Sequence, residues 1–154
     1  SVVKRRESSP RITQISTDEK GSRKSALNPV MENINDITYA IIGCAYKVNS
    51  KLGPGLLEST YEVCLAHELI NAGFFVETQK ALQVIYDDIK LDAGYRIDML
   101  VNNNVIVEIK SIEAIADIHK AQILTYLKLA GKKIGLLINF NTQNLKNGIH
   151  RFIL

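Results

Sequence analysis

The chain of 154 residues has no tryptophan, two cysteines, three prolines and three histidines, and each scarcity closes off a class of protein. Two cysteines cannot staple a disulfide scaffold. Cys44 and Cys64 both fall inside apolar helical patterns, so they read as buried thiols, not as a disulfide or a metal pair, and they suit a reducing cytoplasm. The three scattered histidines make no zinc signature. No apolar run approaches the roughly 18 residues of a membrane helix, so no membrane partner is expected. No charged-then-apolar leader opens the sequence. What is present is an ordinary globular mix, 46% hydrophobic and 23% charged, long enough for one domain with a real core.

The formal net charge of +3 is unevenly divided. Residues 1–30 hold seven Lys/Arg against three Asp/Glu, whereas residues 31–154 hold twelve against thirteen. The basic character therefore belongs to the N-terminal stretch, which weakens any nucleic-acid argument drawn from overall charge. That stretch is aperiodic and rich in Ser, Lys and Arg, and it reads as a disordered basic tail. Met31 opens the first well-patterned segment and reads as a natural start. The folded domain is expected over residues 31–154.

Within it, Ile34, Ile37, Ile41, Cys44, Val48 and Leu52 recur at three and four, one face of a helix. Asn35 or Asp36 is the expected cap and Gly53-Pro54 the stop. A second helix is expected from about Leu56 to Ala72. Strand patterns follow at Phe74 to Glu77, Leu82 to Tyr86, Lys90 to Val101 and Val105 to Lys110, with a turn at Asp87-Asp88. A third helix is expected from Asp117 to Ala130, with Gly131 ending it. "KIGLLIN" (133–139) suits a strand buried on both faces, and "GIHRFIL" adds an edge strand. Helices, then strands, then helix and strand indicate an α/β fold with a mixed sheet.

The charges inside the strand-like runs carry the chemistry. In "GYRIDMLV", Arg96, Asp98 and Leu100 share one face. In "VIVEIK", Ile106, Glu108 and Lys110 share one face. Asn102 to Asn104 suits a three-residue hairpin loop, because Asn tolerates the left-handed conformation such loops need. Pairing Val101 with Val105 puts Asp98 directly opposite Glu108, and Arg96 opposite Lys110. Opposed side chains have Cβ atoms about 4.5–5.5 Å apart, where like charges repel. Three explanations stand: a divalent cation such as Mg²⁺ or Mn²⁺ held by hard oxygen ligands, a proton shared by the two carboxyls, or a structural ion cluster neutralised by Arg96 and Lys110. A register shifted by one residue would remove the argument.

Two further elements bear on this. "GPGLLESTYE" spaces Gly55, Glu58 and Tyr61 as G-x-x-E-x-x-Y. Glu58 lies three residues before Tyr61 and seven before Leu65, which places it on the helix's inward stripe. It also lies in the first turn, where the helix dipole favours a negative charge. "HKAQILTYL" sets His119, Gln122 and Tyr126 on one helical face. They could orient a phosphate, a water or the lysine; equally, Tyr126 could be a core residue whose hydroxyl finds water.

Taken together, Asp98, the hairpin and Glu108-Ile109-Lys110 resemble the D…(D/E)-x-K signature of the PD-(D/E)XK nuclease superfamily. Gly55-x-x-Glu58-x-x-Tyr61 is similar to the motif that names its GxxExxY branch, and Gln122-x-x-x-Tyr126 to a Q-x-x-x-Y motif of exonuclease-like members. The likeness spans about residues 32–154. It implies a restriction-endonuclease-like αβββαβ core, its mixed central sheet flanked by helices, with an extra N-terminal helix. It implies Mg²⁺ (or Mn²⁺) held by Asp98 and Glu108 with help from Glu58, and Lys110 positioning the attacking water. Substrate positioning would fall to Gln122, Tyr126, His119 and Arg96. The activity implied is metal-dependent hydrolysis of DNA, with RNA behind it, in a cytoplasmic protein. The alternative is a non-catalytic nuclease-fold module for nucleic-acid binding or protein interaction. A homodimer would set two such sites on two strands. The sequence departs from the pattern at Ile97, where the superfamily's proline would stand, and at Asn49, where the branch often has His.

Overall fold

The computed structural model describes residues 33–154 and the backbone of Arg11–Thr13. The three-and-four spacing of apolar residues produces helix α1, Ile34–Leu52, which buries Ile37, Ile41, Ala45 and Val48. Its cap is Asn33, not Asn35 or Asp36. Asn33 is in an extended conformation, so its side-chain oxygen folds back to accept from the backbone N–H of Asn35 at 2.9 Å. Gly53, at φ +70°, ends the helix as expected. Helix α2, Glu58–Asn71, buries Tyr61, Leu65 and Leu69. It starts two residues later than expected because Leu57 remains extended as its cap. Glu68 of α2 pairs with Lys47 and Lys51 of α1 at 2.9 and 3.2 Å. Those lysines are exposed, so the pairs orient the two helices more than they stabilise them.

Arg11–Thr13 is strand β1. The remaining strands are β2 Val76–Ala81, β3 Val84–Tyr86, β4 Ile89–Leu91, β5 Arg96–Val101, β6 Val105–Lys110, β7 Ile134–Asn139 and β8 Ile149–Ile153, with helix α3 at Asp117–Ala130 between β6 and β7. Six of them form one sheet in the order β1-β2-β5-β6-β7-β8. Pairing is antiparallel except between β6 and β7, which are parallel. The succession α2-β2-β5-β6-α3-β7 is thus an αβββαβ core with a mixed sheet, and α1 is the extra N-terminal helix.

Alternation along the strands separates two cores. Met99, Val101, Val105, Val107, Ile109, Leu136 and Ile138 pack against α1 and α2. Leu100, Ile106 and Leu137 pack on the other face against Ile123, Tyr126 and Leu127 of α3. All six residues of β7 are buried, as a strand covered on both faces requires. Gly135 lets α3 approach closely: a Cβ there would lie 2.8 Å from Ile123 Cδ1.

Three strand expectations need correction. The run at Phe74 to Glu77 begins two residues later, and β2 continues to Ala81. The run at Leu82 to Tyr86 shortens to Val84–Tyr86. The run from Lys90 to Val101 is not one strand but two, β4 and β5, and β4 pairs with β3 as a separate two-stranded ribbon. Asp92, Ala93 and Gly94 interrupt it, and Gly94 takes φ +73°, a conformation a strand does not use. The expected basic tail over residues 1–30 lies outside the described residues, apart from Arg11–Thr13, which pairs antiparallel with β2. Cys44 and Cys64 are free and partly buried. Among the described residues no helix is long and apolar enough to cross a membrane.

Candidate active site

The β5–β6 hairpin folds as its sequence dictates. Asn102 and Asn103 adopt φ +48° and +54°, the left-handed region that Asn tolerates best among residues with a side chain. Asn102 also anchors the loop: its Oδ1 accepts from Phe75 N at 2.8 Å, and its own N–H donates to Phe75 O at 2.8 Å. The register is Val101 with Val105, Leu100 with Ile106 and Met99 with Val107. Carried one step further, it sets Asp98 opposite Glu108.

At that step carboxylates replace backbone carbonyls as acceptors. Asp98 N donates to Glu108 Oε1 at 3.2 Å, and Ile109 N donates to Asp98 Oδ2 at 2.8 Å. Each acid is held by the other strand's backbone, so the two carboxyls are fixed together across the hairpin. The simple alternation expected of β5 breaks here, because Ile97 packs with Leu100 in the α3 core whereas Met99 packs with α1 and α2. Glu108 is 3% exposed. Burial, and next the negative charge of Asp98, push its carboxyl up to about 9, with Lys110 acting in the opposite direction. Burial beside Asp98 thus favours the protonated form of Glu108 at neutral pH.

Lys110 closes the site from β6. Its Nζ donates to Gln122 Oε1 at 3.4 Å, and Gln122 Nε2 donates to the Tyr126 hydroxyl at 3.1 Å. Tyr126 is a buried member of the α3 core, and its hydroxyl accepts from Gln122, the residue that meets the lysine. Burial raises the Tyr126 hydroxyl pKa most; the bond from Gln122 opposes this, and Glu108 and Asp98 add to the rise.

The other expected site residues are placed differently. His119 closes the first turn of α3, its Nδ1 accepting from Ala116 N at 2.9 Å. Arg96 Nη1 donates to Gln79 O at 3.1 Å. Glu58 was expected on the inward stripe of α2, but it is exposed. The extended cap at Leu57 makes it the first helical residue, and its Oε1 accepts from Ser111 N at 3.3 Å, immediately past Lys110. Among the described residues no group of three or more His, Cys, Asp or Glu side chains is placed to hold a metal ion, so Glu58 stands apart from the acidic pair.

The G-x-x-E-x-x-Y segment instead clamps the end of β6. Ser111 Oγ donates to Leu56 O at 2.5 Å. The Tyr61 hydroxyl donates to Gly53 O at 2.6 Å and accepts from Leu56 N at 3.1 Å, while its ring stacks on Phe140 at 4.7 Å. Just past β7, Phe140 N donates to Lys110 O at 2.9 Å. Asn139, buried beside Lys110, accepts from Ile112 N at 3.2 Å and donates to Ile112 O at 2.9 Å. The backbone on either side of the lysine is therefore fixed by two other elements. Asn49, buried on α1, has no hydrogen-bond partner for its Oδ1 among the described residues.

Three participants were not foreseen. Asn139 pins the loop after the lysine. Gln79 of β2 donates its Nε2 to Glu62 of α2 at 2.7 Å and to Asp98 Oδ1 at 3.4 Å. The pairing of β2 with β5 brings Gln79 level with Asp98, and the packing of α2 brings Glu62 to Gln79; neither is legible from local sequence.

The acidic pair fits a divalent cation. Two opposed carboxyls, one of them buried, cannot both ionise without a counter-charge, and hard oxygen donors at a hairpin suit Mg²⁺ or Mn²⁺. An αβββαβ core with an acidic pair and a lysine across its central hairpin defines the restriction-endonuclease-like class of α/β domains. A family model of the PD-(D/E)XK nuclease superfamily matches residues 35–152, and the chain belongs to that superfamily. No curated protein and no solved structure matches the chain. Membership supports a nuclease-type, phosphodiester-hydrolysing function in general, with nucleic acid as substrate class, in a superfamily that typically uses divalent metals.

Proposed function

We propose that this domain is a divalent-metal-dependent nuclease of the GxxExxY branch, acting on DNA and secondarily on RNA. The observation that carries the reading is the reciprocal holding of Asp98 and Glu108 across the hairpin, with Lys110 on the same strand face. Asp98 and Glu108 would hold Mg²⁺ or Mn²⁺, and Glu58 would assist if its carboxylate left Ser111 N. A cation held there would polarise a phosphoryl oxygen and lower the pKa of the attacking water. Lys110 supplies a compact positive charge that orients that water and offsets charge developing on the phosphate. Gln122 restrains the lysine's Nζ, and Tyr126 restrains Gln122. To act as a ligand, buried Glu108 would have to be deprotonated, the charged form that a cation would favour.

A second reading has its own support. No third acid joins the pair among the described residues, and residues 31–154 carry no excess of basic charge. Both fit a nuclease-fold module that binds nucleic acid or protein without cutting. Incubating the purified chain with single-stranded and duplex DNA and RNA, under Mg²⁺, Mn²⁺ or EDTA, separates the two. Cutting that needs the metal and disappears in Lys110→Ala and Asp98→Asn supports the nuclease. Binding without cutting supports the module, and cutting that survives both substitutions rules out this site. The free thiols fit a cytoplasmic protein. Sedimentation of the intact chain tests for a homodimer, which would present two sites to two strands.

A further inference from the structure

β2 holds a residue in a conformation that strands avoid. Gln79 has φ +52°, although its neighbours keep the ladder: Thr78 pairs with Met99 and Lys80 with Ile97. The register is unbroken across the kink, so no residue has been inserted. The backbone has rotated at the one position level with Asp98. Its carbonyl has turned to accept from Arg96 Nη1. Its side-chain amide lies between two acids, donating to Glu62 Oε2 at 2.7 Å and to Asp98 Oδ1 at 3.4 Å. One NH₂ group has two hydrogens and can serve both acceptors at once. A non-glycine residue at positive φ inside a strand is strained, and such strain persists where surrounding contacts over-determine it.

We propose that Gln79 is a positioning residue for Asp98, with Glu62 as its anchor on α2. This rests on the metal-site reading above and adds to it a role for two residues outside the nuclease signature. Asp98 is restrained at both oxygens: Oδ2 by Ile109 N and Oδ1 by Gln79. The first restraint comes from the hairpin itself. The second ties the acid to α2, and so sets the carboxylate's rotation about its last bond. Partners of this kind, which orient a ligand without touching the metal, typically contribute about 10–100-fold to affinity or activity.

Gln79→Gly separates positioning from mere packing, because glycine relaxes at φ +52° while losing the amide. The probe is Mn²⁺, titrated calorimetrically into the full chain, with a thermal unfolding midpoint measured in EDTA. The expected result is a midpoint at or above wild type, with Mn²⁺ bound at least about tenfold more weakly. Glu62→Ala is expected to weaken Mn²⁺ binding as well. Glu62→Gln keeps an acceptor oxygen for the Gln79 amide and is expected to recover most of the loss. If Gln79→Gly folds and binds Mn²⁺ as wild type does, the inference is overturned. Should that variant unfold, the Glu62 pair decides: unchanged binding in Glu62→Ala, or Glu62→Gln as weak as Glu62→Ala, overturns it. A wild-type chain that takes up no Mn²⁺, or an Asp98→Asn variant that binds it equally well, overturns the metal site itself and this inference with it.

Discussion

Replacing Glu108 by Gln should make the metal-free protein more stable while removing its proposed activity. Glu108 is buried beside Asp98, and its carboxyl is pushed from an ordinary 4.5 up to about 9 in the folded chain. A carboxyl whose folded pKa is raised contributes stability that is complete below pH 4.5. That stability is lost progressively as pH rises through 9, because the unfolded chain ionises first. At pH 7 the loss spans roughly 2.5 pH units, or about 3 kcal/mol at 1.36 kcal/mol per unit. Glutamine mimics the protonated acid at every pH. Its oxygen can still accept from Asp98 N, and its NH₂ can donate to the Asp98 carboxylate. In EDTA at pH 7, Glu108→Gln should therefore unfold at a temperature higher by on the order of 10 °C. The gap should shrink toward zero near pH 4.5 and widen toward pH 9. Added Mg²⁺ should reverse part of it by stabilising only the wild type through mass action. Thermal melts followed by circular dichroism across pH 5–9 measure all of this. A variant no more stable than wild type at pH 7, or a gap that does not vary with pH, would refute the burial argument.

Three other perturbations follow from the packing around the site. Tyr61→Phe removes the hydroxyl that joins Gly53 O and Leu56 N and should cost about 1–3 kcal/mol in urea unfolding, with the ring stack on Phe140 kept. Gly135→Ala puts a methyl 2.8 Å from Ile123 Cδ1; it should cost about 1–3 kcal/mol, and activity should fall because α3 carries Gln122 and Tyr126. Asn102→Ala loses the bond to Phe75 N and places alanine at φ +48°, so a destabilisation of about 2 kcal/mol is expected from chemical denaturation.

The superfamily match covers nearly the whole described domain, and the likeness was legible beforehand because its parts are local. An aspartate, a short loop and a glutamate two residues before a lysine can be read from a single hairpin. The finer parts were not local. Spacing to Tyr61 and Leu65 puts Glu58 on the inward stripe, but as the first residue of the helix it lies at the exposed end and meets Ser111 N instead. Hydrophobic alternation runs on through Asp92, Ala93 and Gly94 and so hides the break between β4 and β5, where Gly94 is turned to positive φ. His119 and Gln122 share a helix face in the sequence, yet one closes the helix's first turn and the other meets the lysine.

By itself the sequence determined the three helices, the hairpin register and the meeting of Asp98 with Glu108, because strand alternation and an asparagine loop act over a dozen residues. Only the tertiary structure decided how deeply Glu108 is buried, which partners hold Lys110, and that Gln79 reaches Asp98 from a distant strand while itself held by Glu62 of a distant helix. Those depend on which elements pack together across the sheet. Desolvation and long-range hydrogen bonds are properties of that packing, not of spacing along the chain.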